Sequence, residues 1–216
     1  KKELTTNQKE QVRGFLTPIS LTGLSSVLFG SIDIIILGRF VTPEYIGYYQ
    51  VAFTLVTSAL AIISFGAVLF PLFSRMSGKR LERGFKKSLY VTIPISVLAA
   101  IATILIAPII VHIIYGSQYS PAIGILRLLA VILLIDPLIG IFSGYLISRG
   151  QTKKVAIAVI FSTFLNIILN YLFVVNLLGY GMYLAVLGAG IATLISRGIY
   201  LLILISAEEK NKNLLS

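Results

Sequence analysis

The sequence has no cysteine, a single histidine, and charged residues at only 12% of its positions. Without cysteine there is neither a disulfide framework nor a thiolate metal site, and one histidine cannot make a metal-binding cluster. Soluble domains carry about 25% charged residues, twice the proportion here. Acids are scarcer still, with 8 Asp+Glu against 18 Lys+Arg, for a net charge of +10. No P-loop is present to couple ATP. Ser143 in GIFSG departs from the GxSG spacing of a rhomboid protease, and no histidine lies at a matching depth on a facing segment. What fills the chain is apolar: 57% of its 216 residues are hydrophobic, with a mean hydropathy of +0.96. A soluble domain of this length needs more polar surface than that. A cytosolic enzyme, a nucleic-acid reader and a disordered segment are thereby excluded. No catalytic residue and no cofactor are expected. The chain opens on KKELTTNQKEQVRG without a methionine or a signal-peptide pattern, as expected for a piece of a longer protein.

The apolar residues fall in long runs. A bilayer core about 30 Å thick needs about 20 helical residues to cross it. Six stretches are long enough, at residues 15–37, 45–73, 88–115, 122–148, 155–178 and 182–206. Apolar side chains wrap every face of these runs, as in membrane spans, and nothing alternates as barrel strands do. The breaks carry turn and charge punctuation: GRFVTPE, RMSGKRLERGFKK, GSQYSP, RGQTKK and LLGYG. The expected fold is all-α, a polytopic bundle of six transmembrane helices, with residues 1–14 as a cytoplasmic linker, 15–206 as the membrane lobe and 207–216 as a cytoplasmic tail.

Basic residues set the expected orientation. Lys1, Lys2, Lys9 and Arg13 precede the first span, and Arg75, Lys79, Arg80, Arg83, Lys86 and Lys87 lie between the second and third. Arg149, Lys153 and Lys154 lie between the fourth and fifth, and Lys210 and Lys212 follow the sixth. These fifteen share one side, whereas the other has only Arg39. Short loops with that bias face the cytoplasm, so both termini are expected inside. The positive charge is then read as an attachment to anionic headgroups of the lipid bilayer and not to nucleic acid.

Four ionisable residues remain within the spans: Asp33, Arg127, Asp136 and Arg197. Each costs about 2.5–3.5 kcal/mol near a helix centre and needs a partner or a wet cavity. Small polar residues share helix faces with them. Thr22, Ser26, Gly30 and Asp33 fall on one face of the first span, Ser162, Asn166 and Asn170 on one of the fifth, and Gly190, Thr193 and Arg197 on one of the sixth. Such stripes suit a hydrated path, and equally suit close helix packing, which also accounts for Gly140 and Gly144. Asp33, Arg127, Asp136, Asn166, Asn170 and Arg197 are therefore the candidate substrate- or ion-pathway residues. Helix rise puts Asp136 and Arg197 both at about 21 Å below the outer surface, and Asp33 and Arg127 both at about 6–7 Å; two ion pairs, Asp136 with Arg197 and Asp33 with Arg127, are expected. Pro94, Pro108 and Pro137 interrupt spans, and Pro137 frees the carbonyl of Leu133 beside Asp136. His112, near the outer end of the third span, is read as an interface anchor or a packing residue.

The order of local patterns resembles the polysaccharide-transport branch of the multidrug/oligosaccharidyl-lipid/polysaccharide flippase superfamily, related to the multidrug (MATE-like) exporters. The matching stretches are SIDIIILGRFVTPEYIGYYQVAFTL (31–55), AVLFPLFSRMSG (67–78), IIYGSQYSPAIGILRLLA (113–130), YLISRGQTKKVAIAVIFSTFLNIILNYLFV (145–174) and GAGIATLIS (188–196). Asp33, Asn166 and Asn170 fall at family-typical positions, whereas Arg127 and Arg197 match no family motif. The resemblance implies the C-terminal six-helix lobe of a flippase, working with a missing N-terminal lobe or a second six-helix lobe. It further implies a lipid-linked glycan substrate and alternating access driven by an ion gradient. A drug/cation antiporter or a lipid II-type flippase is the alternative within transport. A non-transporting scaffold for glycan assembly is the alternative outside it, and would have its six polar positions mutually satisfied with no open cavity.

Overall fold

The computed structural model describes Gly23, Ser25 and residues 27–63 and 72–213, with side chains through Glu209. Among the described residues there are helices and no strand. The first helix, α1, is described over 27–40. It is followed by α2 (Pro43–Ile63), α3 (Gly78–Tyr115), a 3₁₀ turn (Ser117–Tyr119), α4 (Ala122–Leu129), α5 (Ile132–Ser148), α6 (Thr152–Leu178) and α7 (Met182–Asn213). Five spans among them are long and apolar enough to cross a membrane, α4 and α5 together making one. Of the first expected span, residues 15–22 lie outside the described residues, as do the linker 1–14, residues 64–71 of the second span and the end of the tail.

Local chemistry sets the helix ends. Pro43 opens α2, where its missing N–H costs nothing and its fixed φ suits the helix. Gly116 ends α3 at φ +88° and Gly150 ends the turn after α5 at φ +76°, a region that side chains with a Cβ avoid.

Three boundaries differ from expectation. α3 begins at Gly78, not at residue 88, and takes up most of the basic loop. Leu81 and Phe85 are buried one turn apart, with Lys79, Arg80, Arg83, Lys86 and Lys87 all exposed, so an amphipathic extension continues the span beyond the hydrocarbon. Its 38 residues rise about 57 Å. The fourth span is broken at Ala130–Val131, where Val131 N–H bonds to Leu128 O and Leu133 N–H to Ala130 O in i→i−3 fashion. This tightening lies in the turn whose carbonyl, Leu133 O, Pro137 leaves without its i+4 donor. α7 continues to Asn213, so most of the expected tail is helix.

The helices close around two apolar clusters. One joins Leu37, Tyr49, Val56, Leu126, Leu129 and Ala189 toward the Gly116 and Gly181 turns. The other joins Phe73, Leu81, Phe85, Phe142, Tyr145 and Leu204 toward the Gly150 turn, with Phe85 stacked on Tyr145 at 4.2 Å between ring centroids. α6 and α7 pack along their length. A Cβ on Gly188 would come to 3.2 Å of the Phe173 carbonyl oxygen, and one on Gly190 to 3.0 Å of Leu128, so these glycines set the close approach of α7 to its neighbours. Of the Gly140–Gly144 pair expected to pack helices, Gly144 is buried, whereas Gly140 lines a cavity.

Candidate functional site

Between the two apolar clusters lies a layer of polar side chains from α1, α2, α5, α6 and α7. Its centre is Asp33, 1% exposed. Both carboxyl oxygens accept the Thr193 hydroxyl at 2.7 Å, Oδ1 accepts the Asn170 amide at 2.7 Å, and Oδ2 accepts the Tyr49 hydroxyl. Asn166 extends the network by donating its amide to Thr193 Oγ1 at 3.1 Å. A carboxyl taken out of water is tolerable only with such compensation, and hydrogen bonds to a charged acceptor are the strong kind. Asn166, Asn170 and Thr193 are fully buried, at the inward positions of the i, i+4 stripes read in the sequence. Of the stripe on the first span, Thr22 and Ser26 lie outside the described residues. The oxygens Asn166 Oδ1, Asn170 Oδ1 and Ser162 Oγ are buried without a hydrogen-bond partner.

One turn beyond Thr193 on α7, Arg197 forms an ion pair with Asp136 of α5, as the depth argument expected. The guanidinium carbon lies 5.3 Å from the centroid of the Phe29 ring on α1, a cation–π distance. Unlike the Asp33 cluster, this pair is not sealed: the side chains are 13% and 22% exposed. They line a cavity of about 390 Å³ with Phe29, Leu60, Gly140 and Tyr200. Asp136 Oδ1 and Arg197 Nε have no hydrogen-bond partner, so each keeps a free polar edge. Tyr200 and Ser143 approach oxygen to oxygen at 3.4 Å beside it.

The second expected pair does not form. Arg127 is exposed and donates from Nε to the backbone carbonyl of Ile104 on α3 at 3.2 Å, far from the Asp33 cluster. The depth argument failed because α1 continues to residue 40, about two turns past Asp33, and because α3 stands beside Arg127. Tyr49 is the residue that sequence reasoning missed. Its signal was available, since a tyrosine mid-span needs a partner for its hydroxyl. His112 bonds through Nε2 to the Ser120 hydroxyl at 3.0 Å, tying the end of α3 to the following turn.

The sequence matches the family described as "Polysaccharide biosynthesis protein" over residues 3–124, more than half of the chain. It is also 26% identical over 182 residues to a probable low-salt glycan biosynthesis flippase of Haloferax volcanii. That alignment covers 82% of this chain and 37% of the relative, so the chain spans little more than a third of that protein's length. No solved structure matches it. With five helices among the described residues long and apolar enough to cross a membrane, and with the match over residues 3–124, the chain is a multi-pass membrane protein and belongs to the polysaccharide biosynthesis protein family.

Proposed function

We propose that the chain forms part of a glycan flippase that moves a lipid-linked oligosaccharide across the membrane by alternating access, without ATP. The observation that carries this reading is the Asp136–Arg197 pair lining a cavity of about 390 Å³ between two apolar clusters. A lipid-linked glycan carries its charge on the phosphate that joins sugar to lipid. A guanidinium recognises phosphate through parallel N–H donors, and Asp136 holds Arg197 ready while neutralising it until an anion arrives. The cost of an intramembrane charge is then met in the empty and the loaded state alike.

The Asp33 cluster is the natural seat of the coupling ion. Its carboxyl is reached by three donors, and Asn166 and Asn170, both in the same network, keep amide oxygens without a hydrogen-bond partner. A monovalent cation or proton bound there would change the hydrogen bonds joining α1, α2, α6 and α7, and Thr193 and Arg197 on one helix link that change to the cavity. Both termini are cytoplasmic in this reading, and a second six-helix lobe completes the pathway. A sealed scaffold agrees less well with a cavity lined by half-satisfied charges.

The test is flipping of a lipid-linked oligosaccharide in vesicles containing the full-length protein. Asp136→Asn and Arg197→Gln should each reduce the rate at least tenfold, and Asp136→Arg with Arg197→Asp should recover part of it. Loss in Arg197→Gln alone identifies the guanidinium as the phosphate ligand. Loss in Asp136→Asn alone points to a cationic cargo and to the exporter reading. Normal flipping in both single variants would remove the pair from the pathway.

A further inference from the structure

Of the two arginines within the spans, Arg197 has an ionic partner, whereas Arg127 has none among the described residues and its one hydrogen bond goes to a backbone carbonyl; the proposed pathway does not use it. Its hydrogen bond has a specific address. Ile104 is four residues before Pro108 on α3. Proline has no N–H, so the Ile104 carbonyl lacks the i+4 donor that closes every regular helical turn. In hydrocarbon no water replaces that donor, and an unsatisfied backbone carbonyl is among the costliest groups to leave there. The Nε of Arg127, reaching over from α4, donates to this same carbonyl at 3.2 Å. Around it the α3 surface is bare hydrocarbon, with Ile101, Leu105 and Ile109 all exposed.

We infer that Arg127 is a positioning residue that caps the proline break in α3, joining α3 to α4 through the carbonyl that Pro108 orphans. Arginine fits the task better than any other side chain. Nε is consumed by the carbonyl, about 16 Å along α3 from its Tyr115 end, while the terminal nitrogens point on from it and remain free for other partners. Lysine has one compact ammonium and cannot divide its donors in this way. The bond ties the Pro108 turn of α3 to α4, whose Leu128 and Leu129 pack against Gly190 of α7. Arg127 thus supports α4, whose Leu126 and Leu129 belong to the first apolar cluster, without entering the polar layer.

The experiment is a double-mutant cycle on the protein in lipid nanodiscs. Arg127→Leu should lower the melting temperature by about 2–4 °C or more. Pro108→Ala returns an N–H to the Ile104 carbonyl, so in that background the loss from Arg127→Leu should fall to less than half. An equal loss in both backgrounds would make Arg127 a headgroup or substrate-phosphate anchor and overturn the inference, as would no loss in either. Spin labels at Ile93 and Ile113, both exposed, report the shape of α3 across Pro108 independently. Their separation should shift in Arg127→Leu and stay unchanged if the arginine serves only the headgroups.

Discussion

At the scale of single residues, the Asp33 network and the Asp136–Arg197 pair make opposite use of buried charge. Asp33 is closed on all sides, and each of its partners binds a different helix to α1: Tyr49 from α2, Asn170 from α6 and Thr193 from α7. Removing one partner from a buried network costs more than a typical hydrogen bond, because the group left behind stays desolvated. Tyr49→Phe takes away one of three donors and should destabilise by about 1–3 kcal/mol. Thr193→Val is nearly isosteric, yet it strands both the Asp33 carboxyl and the Asn166 amide, which donates to Thr193 Oγ1. It should therefore cost more than Tyr49→Phe in thermal unfolding of the purified protein. Equal or smaller loss in Thr193→Val would mean that the hydroxyl is not the hub. Asp136 and Arg197 line a cavity and each has one buried polar atom without a hydrogen-bond partner, so the pair is less fully satisfied than the Asp33 network.

At the scale of the helix, glycine positions separate contact from mere composition. Gly188 has the Phe173 carbonyl oxygen at 3.2 Å and the Leu177 side chain at 2.7 Å from where a Cβ would stand, whereas Gly198, two turns or more along the same helix, has nothing within 4 Å. Gly188→Ala must push α7 off α6 and should cost about 1–3 kcal/mol by overpacking. Gly198→Ala adds helix propensity without a clash, so it should be neutral or stabilise by up to about 1 kcal/mol. Melting temperatures of the two variants moving in the same direction would refute the assigned seam. Much of this architecture was legible beforehand. Length and hydropathy pointed to long apolar helices, five of which are described and long enough to cross a membrane. The i, i+4 spacing of Asn166 and Asn170 put both on one face, from which Asn170 meets Asp33 directly and Asn166 through Thr193. The rest was not, for physical reasons. A helix leaving the membrane changes from all-round apolar to amphipathic without a break, which hid the start of α3 at Gly78. Depth along a helix carries no azimuth, so it matched Asp136 to Arg197 correctly and Asp33 to Arg127 wrongly. The orphaned carbonyl of Ile104 was implied by Pro108, but only the fold brings Arg127 to it.

At the scale of the whole molecule, the surface is of two kinds. α3 presents Val97, Leu98, Ile101, Leu105 and Ile109 outward, a face suited to lipid. α2 presents Gln50, Thr54 and Ser58, all exposed and spaced four residues apart, with Thr57 beside them. Thr57 turns its hydroxyl back to the carbonyls of Phe53 and Thr54 at 3.0 Å, which satisfies it within its own helix, but Gln50 has no such short reach. Polar side chains in a span ordinarily face protein or water and not hydrocarbon. Leu60 of the same helix, about 110° around from this stripe, lines the cavity beside Asp136 and Arg197, so α2 borders the cavity on one face and carries the polar stripe on another. The stripe should therefore border a hydrated passage, or the second lobe that would enclose one, while the α3 face meets lipid. Single cysteines in the full-length protein distinguish the two. Ser77→Cys and Ser117→Cys, on opposite ends of α3, define the two aqueous sides with a membrane-impermeant thiol reagent. Against those references, Thr54→Cys and Ser58→Cys should react from one side and be protected when a lipid-linked glycan is added, and Leu98→Cys and Ile101→Cys should stay inert. Protection that also requires Arg197 would join the stripe and the ion pair into one passage. If all four span positions proved equally inert, the α2 stripe would be a sealed packing surface and the passage would have to run elsewhere.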